Sequence, residues 1–371
     1  MSVLFSRPAR KIFSEGGPNI PVTQLPFEQR LGAFVQLGNV FDLFARSATW
    51  PGFSCGLSED EYAGFERAID RAGIVNGWFT PANVRQMLGS LAMMLEEKAL
   101  RSWLPMAPAP ATQRSIGIIM AGNVPMVGFH DLLCVVLSGH RARVKLSSQD
   151  NVLIPAALEV LERFAPGVKE LVSADEGKLG AVDAIIATGS NNTARYFEHY
   201  FGHLPRLLRK GRISVAVLDG SESDAELVVL GEDVFRYFGL GCRNVSKLYV
   251  PRNFDLDRFF GAIYPWKDIV NHNKYGNNYD YNKAVWMLER VQLVENGFLL
   301  VREAEALASP VASIHFERYD DRAAVLVGLE ARREEIQCIV GHGHVPFGRS
   351  QYPAVDDYAD GMDTMTFLRS V

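Results

Sequence analysis

From Ser115 onward the chain alternates short apolar segments with helix-like stretches of similar length, and this alternation constrains the fold more than any other feature. Ser115-Ile-Gly-Ile-Ile-Met120, Ala142-Arg-Val-Lys-Leu146, Ala184-Ile-Ile-Ala187 and Ile213-Ser-Val-Ala-Val-Leu218 read as strands. Phe129 to Ser138, a segment from near Asn151 to Phe164, and one from near Asn192 to Phe201 read as the helices between them. Apolar strands separated by helices imply βαβ units, and hence a doubly wound parallel sheet covered on both faces. Ligands of such sheets sit beyond the carboxyl ends of the strands. The segments to inspect are therefore Ala121 to Gly128, Ser147 to Asp150 and Thr188 to Thr193.

A chain of 371 residues exceeds what one core usually covers, so two domains are expected, with a helical N-terminal annex up to about residue 110. In the annex Ser58-Glu-Asp-Glu61 reads as a capping box, Thr80-Pro81 opens a second helix, and the run Pro105 to Pro110 reads as a linker. With 48% hydrophobic and 22% charged residues and a net charge of -5, the composition is that of a soluble globular protein, and a nucleic-acid partner is not expected. The longest apolar runs are too short to span a bilayer and the N-terminus lacks a signal-peptide core, so a cytoplasmic location without a membrane span is expected. Four scattered cysteines without a CxxC speak against a zinc site or a disulfide framework.

No GxGxxG follows any of the strands. What appears is Ala187-Thr-Gly-Ser-Asn-Asn-Thr193, a strand end running through Gly189 and Ser190 into a helix N-terminus. Backbone N–H groups there suit a phosphate, and Ser190, Asn191 or Asn192 equally suits a helix cap. Cys242 stands in "FGLGCRNVSKLYV" between Gly241 and Arg243, after a helix expected from Ser223 to about Leu240 and before a strand. A thiolate is a competent nucleophile and a neighbouring cation lowers a thiol's pKa; a small buried cysteine in a helix-to-strand turn fits the same residues.

Taken in order, "MAGNVPMVGFHDLLCVVLSGHRARVKLSS", "ATGSNNTARYF" and "ISVAVLDGSESDAELVVLGEDVFRYFGLGCRNVSKLYVP" resemble the aldehyde dehydrogenase superfamily over roughly residues 110 to 345. Within it "GFHDLLCVVLSGH" and "FGLGCRNVSKLYVP" are most similar to acyl-CoA reductases of the bacterial luminescence (LuxC) type. The resemblance implies a nucleotide-binding domain with the annex over residues 1–213, and a second α/β domain carrying the cysteine, with a C-terminal tail, over residues 214–371. It also implies that Cys242 is the catalytic nucleophile and that the Asn123 amide is a donor of the oxyanion hole, although Asn123 before Pro125 equally suits a turn. Lys145 matches a lysine on the adenosine ribose, and Ser148 stands where strictly NAD-using relatives commonly carry a glutamate. Without that carboxylate a 2′-phosphate is not repelled and NADPH is admissible; Ser148 equally suits a helix cap.

One departure is informative. Aldehyde-oxidising relatives carry a water-activating glutamate at the place Arg209 occupies in "LLRKGRIS". Lacking that base, the chain is expected to release acyl groups poorly to water yet still exchange them with a thiol. The implied reaction is attack of Cys242 on a fatty acyl thioester such as acyl-CoA, and reduction by NADPH to an aldehyde. The acyl donor is acyl-CoA or an acylated partner protein, and a homo-oligomer is expected. Two alternatives stay open: an aldehyde dehydrogenase, CoA-acylating or not, running mainly in the oxidative direction, and a non-catalytic partner that binds acyl groups or nucleotides. A ribose-contacting carboxylate would fall near Glu305. His342 and His344 resemble a metal pair but lack an evident third ligand, so no metal is expected. His130 follows the Asn123 loop, where it either assists in protonation or merely starts a helix. The run Asn271 to Asn282 reads as a polar, aromatic loop.

Overall fold

The computed structural model describes residues 25–104, 110, 112–175, 177, 179–189 and 200–371. Ser190, most of the proposed linker and most of the helix expected from Asn192 lie outside the described residues.

Four helices come first: α1 (Phe27–Ala45), α2 (Glu59–Val75), α3 (Pro81–Met94) and α4 (Glu97–Trp103). The Ser58 capping box is formed in both directions, and the Thr80 hydroxyl caps α3 with Pro81 as its first residue. α1 buries Phe34, Leu37, Phe41 and Phe44, each side chain stabilising by about 1.5–3 kcal/mol. Phe34 and Phe41 also pack against Phe129, so the annex shares the core of the sheet that follows.

That sheet comprises β1 (Ser115–Ile119), β2 (Arg141–Lys145), β3 (Val172–Asp175), β4 (Ala184–Gly189) and β5 (Arg206–Lys210). Its order is β3-β2-β1-β4-β5, and every pairing is parallel. Helix α5 (Phe129–Ser138) joins β1 to β2, while α6 (Leu153–Phe164) and the single turn α7 (Val168–Leu171) join β2 to β3. Buried on nearly every side, α5 carries apolar residues without a polar face.

The chain enters a second sheet only two residues after β5, at β6 (Ile213–Val217). There follow α8 (Asp224–Phe235), β7 (Val245–Pro251), α9 (Leu256–Ala262), α10 (Asn273–Leu288), β8 (Val294–Glu295), β9 (Leu300–Glu303), β10 (Ser313–Tyr319), α11 (Arg322–Ala331) and β11 (Ile336–Val340). The order is β11-β6-β7-β10-β9-β8, parallel except for the short edge pair β8–β9. A final helix, α12 (Thr364–Arg369), returns to the first core, where Val355, Met365 and Leu368 are buried. The α/β architecture expected from the strand–helix alternation is present in both sheets. No helix among the described residues is long and apolar enough to cross a membrane.

The polar run expected to be a loop is instead the 3₁₀ turn ending at Asn271 and the first part of α10. Tyr275, Tyr279, Asn282 and Trp286 recur at helical spacing and are buried together, and His272 caps the start through Nδ1. The aromatic stripe outweighs the poor helix propensity of the asparagines, as tertiary packing commonly does.

Candidate active site

Cys242 lies in a β-turn closed by the Asn244 N–H on the Gly241 carbonyl at 3.0 Å. The helix expected to reach Leu240 stops at Phe235, and the chain crosses to the turn through Tyr237 and Phe238, both at positive φ (53° and 58°). For bulky residues this backbone is costly and persists only when the surroundings over-determine it. Asn244 supplies much of that constraint. Its Nδ2 donates to the carbonyls of Asp233 (3.1 Å), Val234 (3.4 Å) and Arg236 (2.8 Å), capping α8, while its Oδ1 accepts from the Gly241 N–H at 2.8 Å. From the opposite side Ser214 Oγ donates to the Cys242 carbonyl at 2.9 Å and lies 3.1 Å from Cys338 Sγ on β11.

The Asn123 loop meets this turn. Asn123 Nδ2 donates to the Leu240 carbonyl at 2.8 Å, joining the end of β1 to the backbone two residues before Cys242. The loop contains a strained residue of its own, Met126 (φ 52°), whose N–H donates to Asp150 Oδ2 at 2.6 Å.

Asn123, Gly189 and Cys242 line one cavity of about 720 Å³. Its far wall is one face of α3: Met87, Ser90, Leu91 and Met94. Lys145 instead faces a neighbouring depression of about 250 Å³ beside Ser173 and Leu179, and Ser148 is exposed and lines neither. Ser148 does not cap α6, which has no side-chain cap. Glu305 is exposed, away from the cavity, its carbonyl held by Lys247 Nζ at 2.9 Å. His130 lines the cavity from the first turn of α5, its Nε2 bonded to the Val355 carbonyl at 2.8 Å; burial lowers its pKa, favouring the neutral ring. His342 is held between Asp219 Oδ2 and Glu226 Oε1, both at 2.9 Å, so its two nitrogens are occupied, and His344 is exposed. Asp219, Glu222 and His342 bring ligand atoms within 4.8 Å of one another.

The electrostatics of the cavity follow from these contacts. Burial pushes the Cys242 thiol up to about 11, with Arg243 opposing. Arg243 is itself engaged by Asp357 at 2.8 Å. The Cys242 thiol is thus neutral at rest, and any attack by its sulfur requires a proton acceptor. Arg209 is buried: its guanidinium pairs with Asp131, donates to Thr364 Oγ1 at 2.8 Å and to the Ala359 carbonyl at 3.2 Å. At that position the chain has a structural cation tying β5 to α5 and to the C-terminal segment.

In the first sheet the strand order reverses between β1 and β4, which is where a doubly wound fold leaves a ligand crevice. Ala121, Gly122, Thr188 and Gly189 line the cavity there. A side chain at Gly122 would put its Cβ 2.4 Å from Ser147 Oγ, so glycine keeps the backbone open at this point. The segment Ser147-Ser-Gln149, exposed at its last two residues, carries no carboxylate. These residues suit a nucleotide laid across the strand ends.

The architecture compares directly with solved structures. HpcC from Thermus thermophilus superimposes with a TM-score of 0.61 at 12% identity, covering 86% of this chain and 70% of that one. Indole-3-acetaldehyde dehydrogenase AldA of P. syringae, solved with NAD+ and IAA, gives 0.59 at 13% identity over 82% and 70%. An E. coli NADP-dependent enzyme gives 0.58 at 15% identity over 85% and 73%. This is the aldehyde dehydrogenase fold. At such identities the likeness is one of architecture. No family model matches the sequence, and no curated protein matches it.

Several residues around this cavity have no signature in the sequence. Asn244 stood in plain view two residues after the cysteine, but a helix C-cap formed by a side chain beyond the turn has no fixed spacing. Ser214, Cys338, Asp357 and Asp360 arrive from distant elements, and nothing local marks them.

Proposed function

We propose that the chain is an NADPH-dependent reductase of fatty acyl thioesters, forming an acyl-Cys242 intermediate and releasing an aldehyde. The reading rests above all on one observation: Cys242 and Asn123 share a cavity that opens at the ends of β1 and β4 and is walled by the apolar face of α3. The polar end suits a nucleotide and the thioester carbonyl, and the apolar wall suits an aliphatic chain.

In this reading Cys242 attacks the thioester carbonyl. The Asn123 amide has two hydrogens, one of them spent on Leu240, and the other stabilises the developing oxyanion. Lys145, Ser148, Gly189 and Ser190 would hold the adenosine and phosphate portions of NADPH, whose bound nicotinamide supplies the hydride that reduces the acyl carbon. Arg209, locked to Asp131, activates no water, so acyl transfer to a thiol outpaces hydrolysis. Residues 1–213 are proposed as the nucleotide-binding part and 214–371 as the catalytic part.

NADPH oxidation measured with a ladder of acyl-CoAs, for wild type and Cys242→Ala, tests the proposal. Turnover of long-chain acyl-CoA by wild type alone supports it. A faster reaction with aldehyde, NAD and coenzyme A would instead favour the oxidative direction.

A further inference from the structure

We infer that Asp360 is the acid–base catalyst of acyl transfer at Cys242, taking the thiol proton on attack and returning it to the departing thiol. This deepens the acyl-transfer reading above, on which it rests.

The argument starts from what the cavity offers. Besides Cys242, its titratable lining groups are His130, Arg209, Tyr237, Arg243, Asp357 and Asp360, and burial raises the Tyr237 phenol so that it stays protonated and accepts no proton. The two arginines are committed to Asp131 and Asp357, and Asp357 is thereby committed to Arg243. The His130 Nε2 bonded to the Val355 carbonyl must carry a proton, which points to a ring already fixed in place. Asp360 is the lining carboxylate with no ion-pair partner among the described residues. Its Oδ2 accepts the Lys210 N–H at 3.1 Å, and no other donor reaches the carboxylate among the described residues.

Its backbone is set with unusual care. Asp360 is 5% exposed and stands at φ 57°, ψ 20°, a left-handed conformation in a non-glycine residue. Its N–H donates to Gln337 Oε1 at 2.8 Å, and the preceding carbonyl accepts from Arg209 Nε at 3.2 Å. Elements from both sheets thus hold one aspartate in a costly backbone at the cavity wall, a pattern found where function demands a particular side-chain direction.

Burial raises the Asp360 pKa, while Arg212 and Arg209 and the Lys210 N–H oppose it and Asp131 adds to it. A carboxylate moved toward neutrality is a better proton shuttle. Its charge also reaches the nucleophile: ionised Asp360 works with burial to keep Cys242 protonated.

The step balances. The Cys242 S–H bond breaks as sulfur bonds the acyl carbon, and the proton passes to the Asp360 carboxylate. The tetrahedral adduct then expels the donor's thiolate sulfur, which takes that proton from Asp360, leaving acyl-Cys242, free thiol and the carboxylate restored. No oxidant or reductant is consumed.

Asp360→Asn tests the assignment, because asparagine tolerates the left-handed backbone. Asp360→Gly, which favours that backbone, controls for strain. Two readouts are needed on the full-length chain without cofactor: the rate of Cys242 acylation by long-chain acyl-CoA, followed by intact mass, and the pH midpoint of Cys242 alkylation by iodoacetamide. Both variants are expected to acylate about 10²-fold or more slowly at neutral pH, and to recover as the pH is raised. Alkylation should move the other way, its midpoint falling, because the carboxylate charge that held the proton on the thiol is gone. A merely structural role would not make the thiol easier to ionise while slowing its acyl transfer. An unchanged alkylation midpoint overturns the inference, whatever the substrate. Wild-type acylation rates in the variants overturn it as well. If no thioester acylates even wild type, the acyl-transfer reading fails and the catalytic role proposed for Asp360 falls with it; a lowered alkylation midpoint would then show that its charge still acts on the Cys242 thiol.

Discussion

Asn123 Nδ2 donates to the Leu240 carbonyl at 2.8 Å, so one side chain from the end of β1 fixes the backbone that leads into the Cys242 turn. The same amide is the donor proposed for the oxyanion. Asn123→Ala is expected to slow acylation of Cys242 by about 10²–10³-fold, the usual loss for one oxyanion donor. Asn123→Asp, which offers no donor when ionised, should do no better. Single-turnover acylation by acyl-CoA is the measurement.

The Arg209–Asp131 pair is buried on both sides. Removing the cation in Arg209→Gln leaves Asp131 uncompensated and is expected to cost about 3–5 kcal/mol. Arg209→Glu should be worse, since it sets two carboxylates against each other, and it should not confer hydrolysis. Urea unfolding and an assay for free fatty acid check both parts.

Asn244 makes four hydrogen bonds from a buried position. Replacing it by leucine orphans the Gly241 N–H and the α8 carbonyls, with an expected loss of about 2–3 kcal/mol. Since Tyr237 and Phe238 then lose part of the constraint on their backbone, Cys242 alkylation should lose its single-exponential course. Chemical unfolding and alkylation kinetics of the variant test this.

Asp150 Oδ2 accepts from Met126 while its Oδ1 is buried without a partner, and burial raises its pKa to about 7. The unfolded value is near 3.9. For a group raised on folding, the favourable contribution is complete below the unfolded value and is lost as pH rises through the folded one. Wild type should therefore lose stability between about pH 4 and pH 7, and Asp150→Asn should lack that decline. Urea midpoints measured across this range decide it.

Met94 and Pro353 line both the main cavity and a second one of about 420 Å³, which also includes Trp103 and Tyr352. A long acyl chain would pass Met94 from one to the other. Met94→Trp should shift the preference toward shorter acyl-CoAs, each methylene denied burial costing about 0.8 kcal/mol, or roughly fourfold in kcat/KM. An unchanged chain-length profile would place the acyl chain elsewhere.

The first sheet was legible because inner strands β1 and β4 are apolar runs and β2 alternates charged with apolar residues. Ser115–Ile119 and Arg141–Lys145 lie within a residue of the expected segments, and Phe129–Ser138 coincides with the expected helix. Edge strand β5, Arg-Leu-Leu-Arg-Lys, was hidden by its charges, which an edge tolerates and which broke the apolar pattern. The second sheet beyond β7 was not read because its strands are separated by long, mixed segments, and the aromatic stripe of α10 was masked by asparagines. In the site, the cysteine and the Asn123 loop were visible as motifs tied to one chain segment. The contacts of Ser214, Arg209 and Asp360 were not, because each joins residues far apart in the chain or depends on a strained backbone, and neither has a local signature.

The central claim is that Cys242 carries the acyl group. The most direct test is intact mass of the protein incubated with long-chain acyl-CoA before any cofactor is added, followed by peptide mapping. One acyl adduct on Cys242, absent from Cys242→Ala and discharged on adding NADPH with release of aldehyde, is the predicted result. An unmodified protein, or an adduct that persists in Cys242→Ala, would contradict the account.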